Sequence, residues 1–185
     1  EMRVPPISSA PEVLVRFGVA HIAALDSDPE TKGLVDPMRQ ATEKVRDVAR
    51  KREAAREAAT MKLALRERAD FEADRLVRLL DAEAYLVAGR DRSKSPYRDL
   101  FPDGVTPVVS APLDQEIEKL QILESRVRNQ GKGAQHADGL GTARTNLEAG
   151  VKAYVDAVRA EAEARADLDE AGEVGERLDH AAIAQ

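Results

Sequence analysis

Cysteine and tryptophan are absent from this 185-residue sequence, and the absence of cysteine excludes several classes of protein. Without cysteine there can be no disulfide scaffold, no thiolate zinc or iron–sulfur site, and no cysteine nucleophile or redox dithiol. The aromatic residues are three phenylalanines and three tyrosines. Leucine, isoleucine, valine and phenylalanine together make up about 23% of the chain, only slightly above the range typical of disordered chains. We therefore expect a single helical domain, residues 1–185, with a thin core.

Long apolar runs are also missing. No run approaches the 18 residues that a membrane-spanning helix requires, and the first residues lack the basic segment and apolar run of a signal peptide. We therefore expect no membrane span and, by default, a cytoplasmic location, while the sequence leaves open whether a signal peptide has been removed. The lack of cysteine fits a reducing and an oxidising compartment equally well.

The uneven distribution of proline and glycine predicts the secondary structure. Residues 38–88 contain neither. Because proline costs about 3 kcal/mol inside a helix and glycine about 1 kcal/mol relative to alanine, residues 37–88 are predicted to form one very long helix. Asp36 and Pro37 suit its start, and Gly89 suits its end. At 1.5 Å per residue this helix would be roughly 78 Å long, which predicts an elongated molecule or a sharp bend.

Three further helices are predicted from apolar residues at helical spacing, at about residues 10–25, 112–130 and 142–171 or beyond. The glycine-rich segment 131–141 is interpreted as a flexible hinge between the last two. The longest alternating pattern, residues 105–109, is interrupted by Pro107. The expected fold class is therefore all-α: an elongated, antiparallel, coiled-coil-like helical bundle with four principal helices.

The apolar stripe of the long helix is rich in alanine, which buries little area, so this helix needs a neighbour along its length. Charge predicts which neighbour. Residues 44–68 hold nine basic and four acidic side chains, whereas residues 143–185 hold five basic and ten acidic ones. We expect these two segments to lie side by side, with the third and fourth helices running back along the second. The same pairing between two chains of an antiparallel dimer is the alternative.

Residues 89–111 form a connection that is long for a loop without secondary structure and is rich in apolar side chains. The favoured interpretation is that it folds over the end of the bundle and covers the core. The alternative is a surface for a protein partner, because aromatic side chains commonly anchor interfaces. The candidate partner-binding residues are Tyr97, Leu100, Phe101, Pro102 and Val105.

Motifs that carry chemistry are scarce. The three histidines lie far apart and none belongs to the Glu-x-x-His motif of metal-binding bundles; Glu176 and His180 form an i, i+4 pair that we interpret as solvated. The glycine-rich segment lacks the spacing of a phosphate-binding loop. Acidic residues interrupt the basic run, and the net charge is −6, so nucleic acid is not expected as a partner. No catalytic, metal-binding or cofactor-binding residue and no small-molecule ligand is predicted.

The preferred hypothesis is a non-enzymatic structural or protein–protein interaction module, which could form a homo-oligomer by self-association through its alanine-rich long helix. The alternative is an enzyme or a small-ligand carrier with a pocket inside the bundle. That alternative requires buried glutamate, histidine or tyrosine side chains converging on a cavity of at least about 300 Å³. Tyr85 and Tyr154 are the tyrosines to inspect for it.

Overall fold

The computed structural model describes residues 5–6, 9–130 and 134–183, and 84% of these are helical. The elements are α1 (Pro11–Asp26), a 3₁₀ turn (Lys32–Leu34), α2 (Val35–Val87), α3 (Tyr97–Leu100), α4 (Thr106–Val109), α5 (Leu113–Asn129) and α6 (Ala134–Ile183). The described residues contain no strand. The prediction of an all-α helical bundle with one very long helix is confirmed.

Helix α2 is 53 residues long, as the absence of internal glycine and proline predicts. Pro37 lies in its first turn, where a missing N–H costs nothing because those donors have no partner inside the helix. At the other end Gly89 adopts φ +70°, and the Arg90 N–H donates to the Tyr85 carbonyl at 2.9 Å. This left-handed termination is the one predicted for Gly89.

Helix α6 corrects the predicted glycine hinge. It begins at Ala134 and runs through Gly139 and Gly141 without a break, so residues 134–141 are helical; residues 131–133 lie outside the described part of the chain. The glycines allow close packing: a Cβ at Gly141 would lie 2.9 Å from Glu124 Oε1 of α5, and one at Gly150 would lie 3.2 Å from the Arg66 Cα of α2. Close helix contact therefore outweighs the low helix propensity of glycine.

Two compact units divide the chain, residues 1–60 with 156–185 (unit 1) and residues 61–155 (unit 2), so α2 and α6 each contribute to both. The prediction of a single domain is not tested by this division. In unit 1, α1 packs against α2, with Gly18 beside Thr42. Two small buried clusters hold this unit together, with Val45, Val48, Leu168 and Ala171 in one and Leu25, Val35 and Met38 in the other.

Unit 2 has a larger core, to which α2, α5, α6 and the connection between α2 and α5 all contribute. Helix α6 runs antiparallel to α2, because His136 meets Glu83 and Gly150 meets Arg66. Helix α5 instead runs parallel to α2: Glu116 near its start contacts Asp70. The expectation that both helices run back along α2 therefore holds for α6 alone. The 25-residue connection 88–112 is long enough to return the chain before α5 begins.

The oppositely charged segments of α2 and α6 are neighbours, as their charges predict. In unit 1 an open groove is lined by Lys44 and Lys51 of α2, together with Glu43 and Asp47 of the same helix, and by Asp167 and Glu170 of α6. Exposed charges of this kind are screened by solvent, so they favour this orientation of the helices more than they stabilise it.

Candidate interaction surface

The connection between α2 and α5 covers the core of unit 2. Tyr97 and Phe101 are each 2% exposed, and their ring centres are 5.6 Å apart. The Tyr97 hydroxyl donates to Asp81 Oδ1 at 2.8 Å, and burial followed by this hydrogen bond raises the pKa of Tyr97. Arg126 Nη1 of α5 donates to the Leu100 carbonyl at 3.0 Å, which fastens the connection to α5.

These contacts determine where the five predicted partner-binding residues lie. Tyr97, Leu100 and Phe101 are buried, Val105 is partly buried against the same core, and Pro102 is exposed. Three side chains that already fill the core offer little area to another protein. This placement favours the covering interpretation over the partner-binding one, and a partner-binding role for the five residues stays a prediction.

A different apolar surface is exposed on unit 2. Met61, Leu65, Leu79 and Leu86 of α2 are between 50% and 68% exposed. Leu65, Leu79 and Leu86 are separated by 14 and 7 residues, a spacing that keeps their side chains within about 60° of one another around a helix, and Glu72 occupies the position midway between Leu65 and Leu79. We call these four residues the outer stripe. The core-facing residues of α2, such as Ala73 and Val77, lie on a separate face.

An open groove of about 540 Å³ adjoins the outer stripe. From α2 it is lined by Leu65, Ala69 and Leu76, and from α6 by small or polar residues that include Gly139 and Ala143. A Cβ at Gly139 would meet no atom within 4 Å, so there is open space beside this residue on the α6 side of the groove. The groove is therefore open on the side of α2 that carries Leu65 and Leu76.

Charged residues accompany the outer stripe in a defined order along α2. Arg68 and Glu72 line the groove, Arg75 follows one turn later, and Glu83 lies near the end of the helix. Glu83 Oε2 is 2.9 Å from His136 Nε2, and Glu72 Oε2 is 3.6 Å from Arg75 Nε. Side chains of both charges therefore accompany the outer stripe. Because their order along α2 is not symmetric, a parallel and an antiparallel partner would meet different charges.

A buried carboxyl group lies at the contact between α2 and α5. Glu116 is 5% exposed and forms a side-chain hydrogen bond with Asp70. Burial, then this hydrogen bond and the charge of Asp70, raises the pKa of Glu116 to about 8. Burial and Asp70 also raise the pKa of Asp74. At neutral pH Glu116 is therefore protonated and donates to Asp70, so the contact is made without two adjacent negative charges.

These carboxyl groups do not form a metal site. Among the residues that the structure describes, there is no group of three or more histidine, aspartate or glutamate side chains able to hold a metal ion. The predicted pair of Glu176 and His180 has its Oε1 and Nε2 atoms 3.8 Å apart, and the histidine side chain is 66% exposed. That exposure agrees with the interpretation of a solvated pair.

An enzyme or a ligand carrier requires a pocket on which buried side chains converge, and the cavities of unit 2 can be compared with that requirement. A groove of about 510 Å³ is lined by His136 and Glu83, but it is open and the two side chains are 31% and 55% exposed. Tyr85 lies against Arg92 and Tyr97, and Tyr154 lies against Arg66, so both tyrosines are held in ring contacts. Glu116, the buried glutamate, is not among the residues lining the described cavities.

Comparison with known proteins adds no functional information: no family model matches the chain, and no curated protein and no solved structure matches it. No described helix combines the length and hydropathy needed to cross a bilayer. Any conclusion about function therefore depends on the surfaces of the chain itself.

The sequence pattern of the outer stripe is easily confused with that of the alanine stripe on the adjacent face of α2. The leucines of the outer stripe lie at multiples of seven residues, with Glu72 at the intervening position, and the alanine stripe has nearly the same period. Val87, which the periodicity assigns to the buried stripe, is 74% exposed. Only the burial pattern separates the two faces, because periodicity does not determine which of two adjacent faces meets the core.

Proposed function

We propose that the chain is a non-enzymatic helical interaction module that self-associates through the outer stripe of α2. The observation that carries the proposal is the set of exposed leucines on one side of α2, Leu65, Leu79 and Leu86, at multiples of seven residues and beside an open groove. Apolar side chains at this spacing are typical of a seam between two helices. A patch of this kind on a folded chain commonly marks a protein-binding surface.

We move the proposed self-association from the alanine stripe of α2 to the outer stripe. Ala73 and Ala84 are buried within unit 2, so those alanines already have neighbours in the same chain. The outer stripe is the apolar face of this part of α2 that the chain leaves exposed. The proposed contact is therefore made by leucine, which buries more area per residue than alanine.

Charge complementarity favours a second copy in the antiparallel direction. With a twofold axis between Arg75 and Leu76, Leu65 of one copy faces Leu86 of the other, and Arg68 faces Glu83 of the other. Glu72 faces Leu79 of the second copy and lies diagonally opposite its Arg75. A parallel pairing would instead place Arg68 beside Arg68 and Glu83 beside Glu83, and like charges across a seam disfavour that arrangement.

Sedimentation equilibrium over a range of protein concentrations tests the surface. We expect the unmodified chain to form dimers and Leu79→Glu to remain monomeric. Phe71→Glu is the matched control, because Phe71 is 67% exposed but lies about 80° away from Leu79 around the helix. Circular dichroism of both variants should match that of the unmodified chain. A monomeric unmodified chain, or equal loss of dimer in both variants, would show that the outer stripe is not the contact.

Charge reversal tests the antiparallel direction. We expect Arg68→Glu and Glu83→Arg each to weaken self-association, because each places like charges at both ends of the seam. Mixing the two variants should restore dimers, since each pair again joins opposite charges. If the mixture stays as monomeric as the separate variants, the antiparallel register is wrong even where Leu79→Glu has located the surface.

A further inference from the structure

A second groove, in unit 1, has a different chemistry from the outer stripe. It lies between α1 and α2, has a volume of about 580 Å³, and is open to solvent. Five arginines line it: Arg16 of α1, and Arg46, Arg50, Arg52 and Arg56 of α2. Two acidic residues, Glu12 and Glu53, also line it, which leaves an excess of three positive charges.

Among the described residues, most of these arginines have no carboxylate partner. Within the part of the chain that the structure describes, the one ion pair among the five joins Arg50 Nη1 to Asp47 Oδ1 at 3.7 Å, and both side chains are about 70% exposed. Such an exposed pair contributes little. The groove therefore concentrates positive charge, although the whole chain has a net charge of −6.

Arg52 is partly buried, and it differs from the other four arginines because it lies on the core-facing side of α2. It lies one turn after Val48 and one turn before Ala55, on the face of α2 that carries the buried Val45, Val48 and Ala59. Its Nε atom is buried and has no hydrogen-bond partner among the described residues. Buried polar atoms in folded proteins almost always have a partner, so an unpaired guanidinium nitrogen indicates a missing acceptor.

The geometry of arginine restricts what that acceptor can be. The guanidinium is a planar fork of donors that matches the paired oxygens of a phosphoryl or carboxylate group. Arg46 and Arg56 are ten residues apart, roughly 15 Å along the helix. One small anion cannot reach both ends, whereas an anion with several linked phosphoryl groups can. The first turn of α1, at Pro11 and Glu12, also meets the groove and adds the positive end of a helix dipole.

We propose that this groove binds an anion carrying several linked phosphoryl groups, with Arg52 as its anchor. A phosphoryl oxygen accepts from Arg52 Nε, and the other arginines neutralise the remaining groups. The apolar side chains of Val15 and Ala49 lie in the same groove. This inference rests on unit 1 and does not depend on the outer stripe.

Isothermal titration calorimetry with pyrophosphate and tripolyphosphate, each at fixed ionic strength, tests the proposal. We expect tripolyphosphate to bind more tightly than pyrophosphate, and inorganic phosphate to bind more weakly than either. Arg52→Gln should weaken tripolyphosphate binding at least about tenfold, since a charge-assisted hydrogen bond contributes about that factor. Arg56→Gln, at an exposed position, gives a second readout if Arg52→Gln disturbs folding.

The matched control is Lys51→Gln. Lys51 is adjacent to Arg52 in sequence and carries the same charge, but it lines a different groove. Its replacement should leave tripolyphosphate binding within about twofold of the unmodified chain. An equal loss in Lys51→Gln and Arg52→Gln would show general charge attraction and overturn the proposal. Oligoglutamate of the same charge binding as tightly as tripolyphosphate would identify an acidic peptide site instead, and no binding of tripolyphosphate would also overturn it.

Discussion

The two units accommodate a charged residue of α2 at a core position in opposite ways. In unit 2, Asp70 meets Glu116, and a proton held by Glu116 allows two carboxyl groups to share one buried contact. In unit 1, Arg52 has a buried Nε without an acceptor among the described residues. The buried contact in unit 2 is tolerated because Glu116, the partner of Asp70, takes up a proton. An arginine cannot do this, since a guanidinium keeps its charge in proteins, so it needs a partner from elsewhere.

The cores around these residues differ as well. Unit 2 buries aromatic rings and leucines from four segments of the chain in one cluster, whereas unit 1 divides its buried side chains between two small clusters. A charge without a partner is easier to accommodate where packing is thin and water is near. The difference indicates that unit 2 owes more of its stability to packing, whereas the anion proposed for unit 1 would stabilise that unit by binding to its folded state.

The largest expected effect concerns the packing of unit 2. Phe101→Ala should lower the free energy of unfolding by about 3–5 kcal/mol, because the ring is buried and its removal leaves a cavity. Denaturant titration followed by circular dichroism measures this. Phe71→Ala makes the same chemical change at an exposed site and should alter stability by less than about 0.5 kcal/mol. Similar effects of the two variants would mean that the connection does not cover the core.

The next effect is the pH dependence that Glu116 confers on unit 2. Its pKa is about 8 when folded and 4.5 when unfolded, so the folded chain binds the proton more tightly. This stabilisation is fully present below pH 4.5 and is lost as the pH rises through 8. Glu116→Gln keeps a donor for Asp70 without the titration. Its Tm should exceed that of the unmodified chain by several degrees at pH 9 and match it near pH 4.5.

Glu118→Gln provides the control for this titration. Glu118 is exposed on the same helix, so its replacement should shift the Tm equally at both pH values. A Tm for Glu116→Gln that follows the unmodified chain at every pH would show that Glu116 does not hold the proton.

A smaller effect of opposite sign is expected in unit 1. Arg52→Met replaces the unpaired guanidinium by an apolar side chain of similar length, so it should raise the free energy of unfolding by about 1 kcal/mol in buffer without multivalent anions. Urea titration measures the change, and Arg56→Met at an exposed position should be nearly neutral. Destabilisation by Arg52→Met would indicate that the guanidinium already has a partner and that the two units do not differ in this respect.

The smallest effect compares one helical glycine from each unit. A Cβ at Gly139 in unit 2 or at Gly175 in unit 1 would meet no atom within 4 Å. Gly→Ala at either position should therefore stabilise the chain by about 0.5–1 kcal/mol through lower chain entropy in the unfolded state. Thermal unfolding of each variant measures the gain. Gly18→Ala should do the reverse, because its Cβ would overlap the Thr42 side chain.

The long helix could be predicted from the sequence because its determinants are local. Fifty-one consecutive residues without glycine or proline, followed by a glycine, define α2 almost to the residue. The hinge prediction failed for a non-local reason. Gly139 and Gly141 are poor helix formers, but buried neighbours such as Ala137 and Leu140 keep α6 continuous, and packing outweighs a cost of about 1 kcal/mol per glycine.

The candidate surface was less accessible to prediction. Two apolar faces of α2 lie side by side, and the alanine face has the longer pattern. Which face is covered depends on where α5 and α6 lie, and that depends on a connection whose path has no periodic signal. Glu116 illustrates the same limit: its sequence neighbours are typical of a helix surface, and only its contact with Asp70 shows that it is buried.

By itself, the sequence determined that the chain is helical, where its longest helix begins and ends, and that the oppositely charged segments of α2 and α6 favour each other as neighbours, within one chain or between two. These follow from backbone preferences and charge, which act between nearby residues or over long range without needing exact contacts. The tertiary structure alone decided the direction of α5, the burial of Glu116 and Arg52, and the exposure of the outer stripe. Such properties depend on which surfaces exclude water from one another, and that is settled only when distant parts of the chain come into contact.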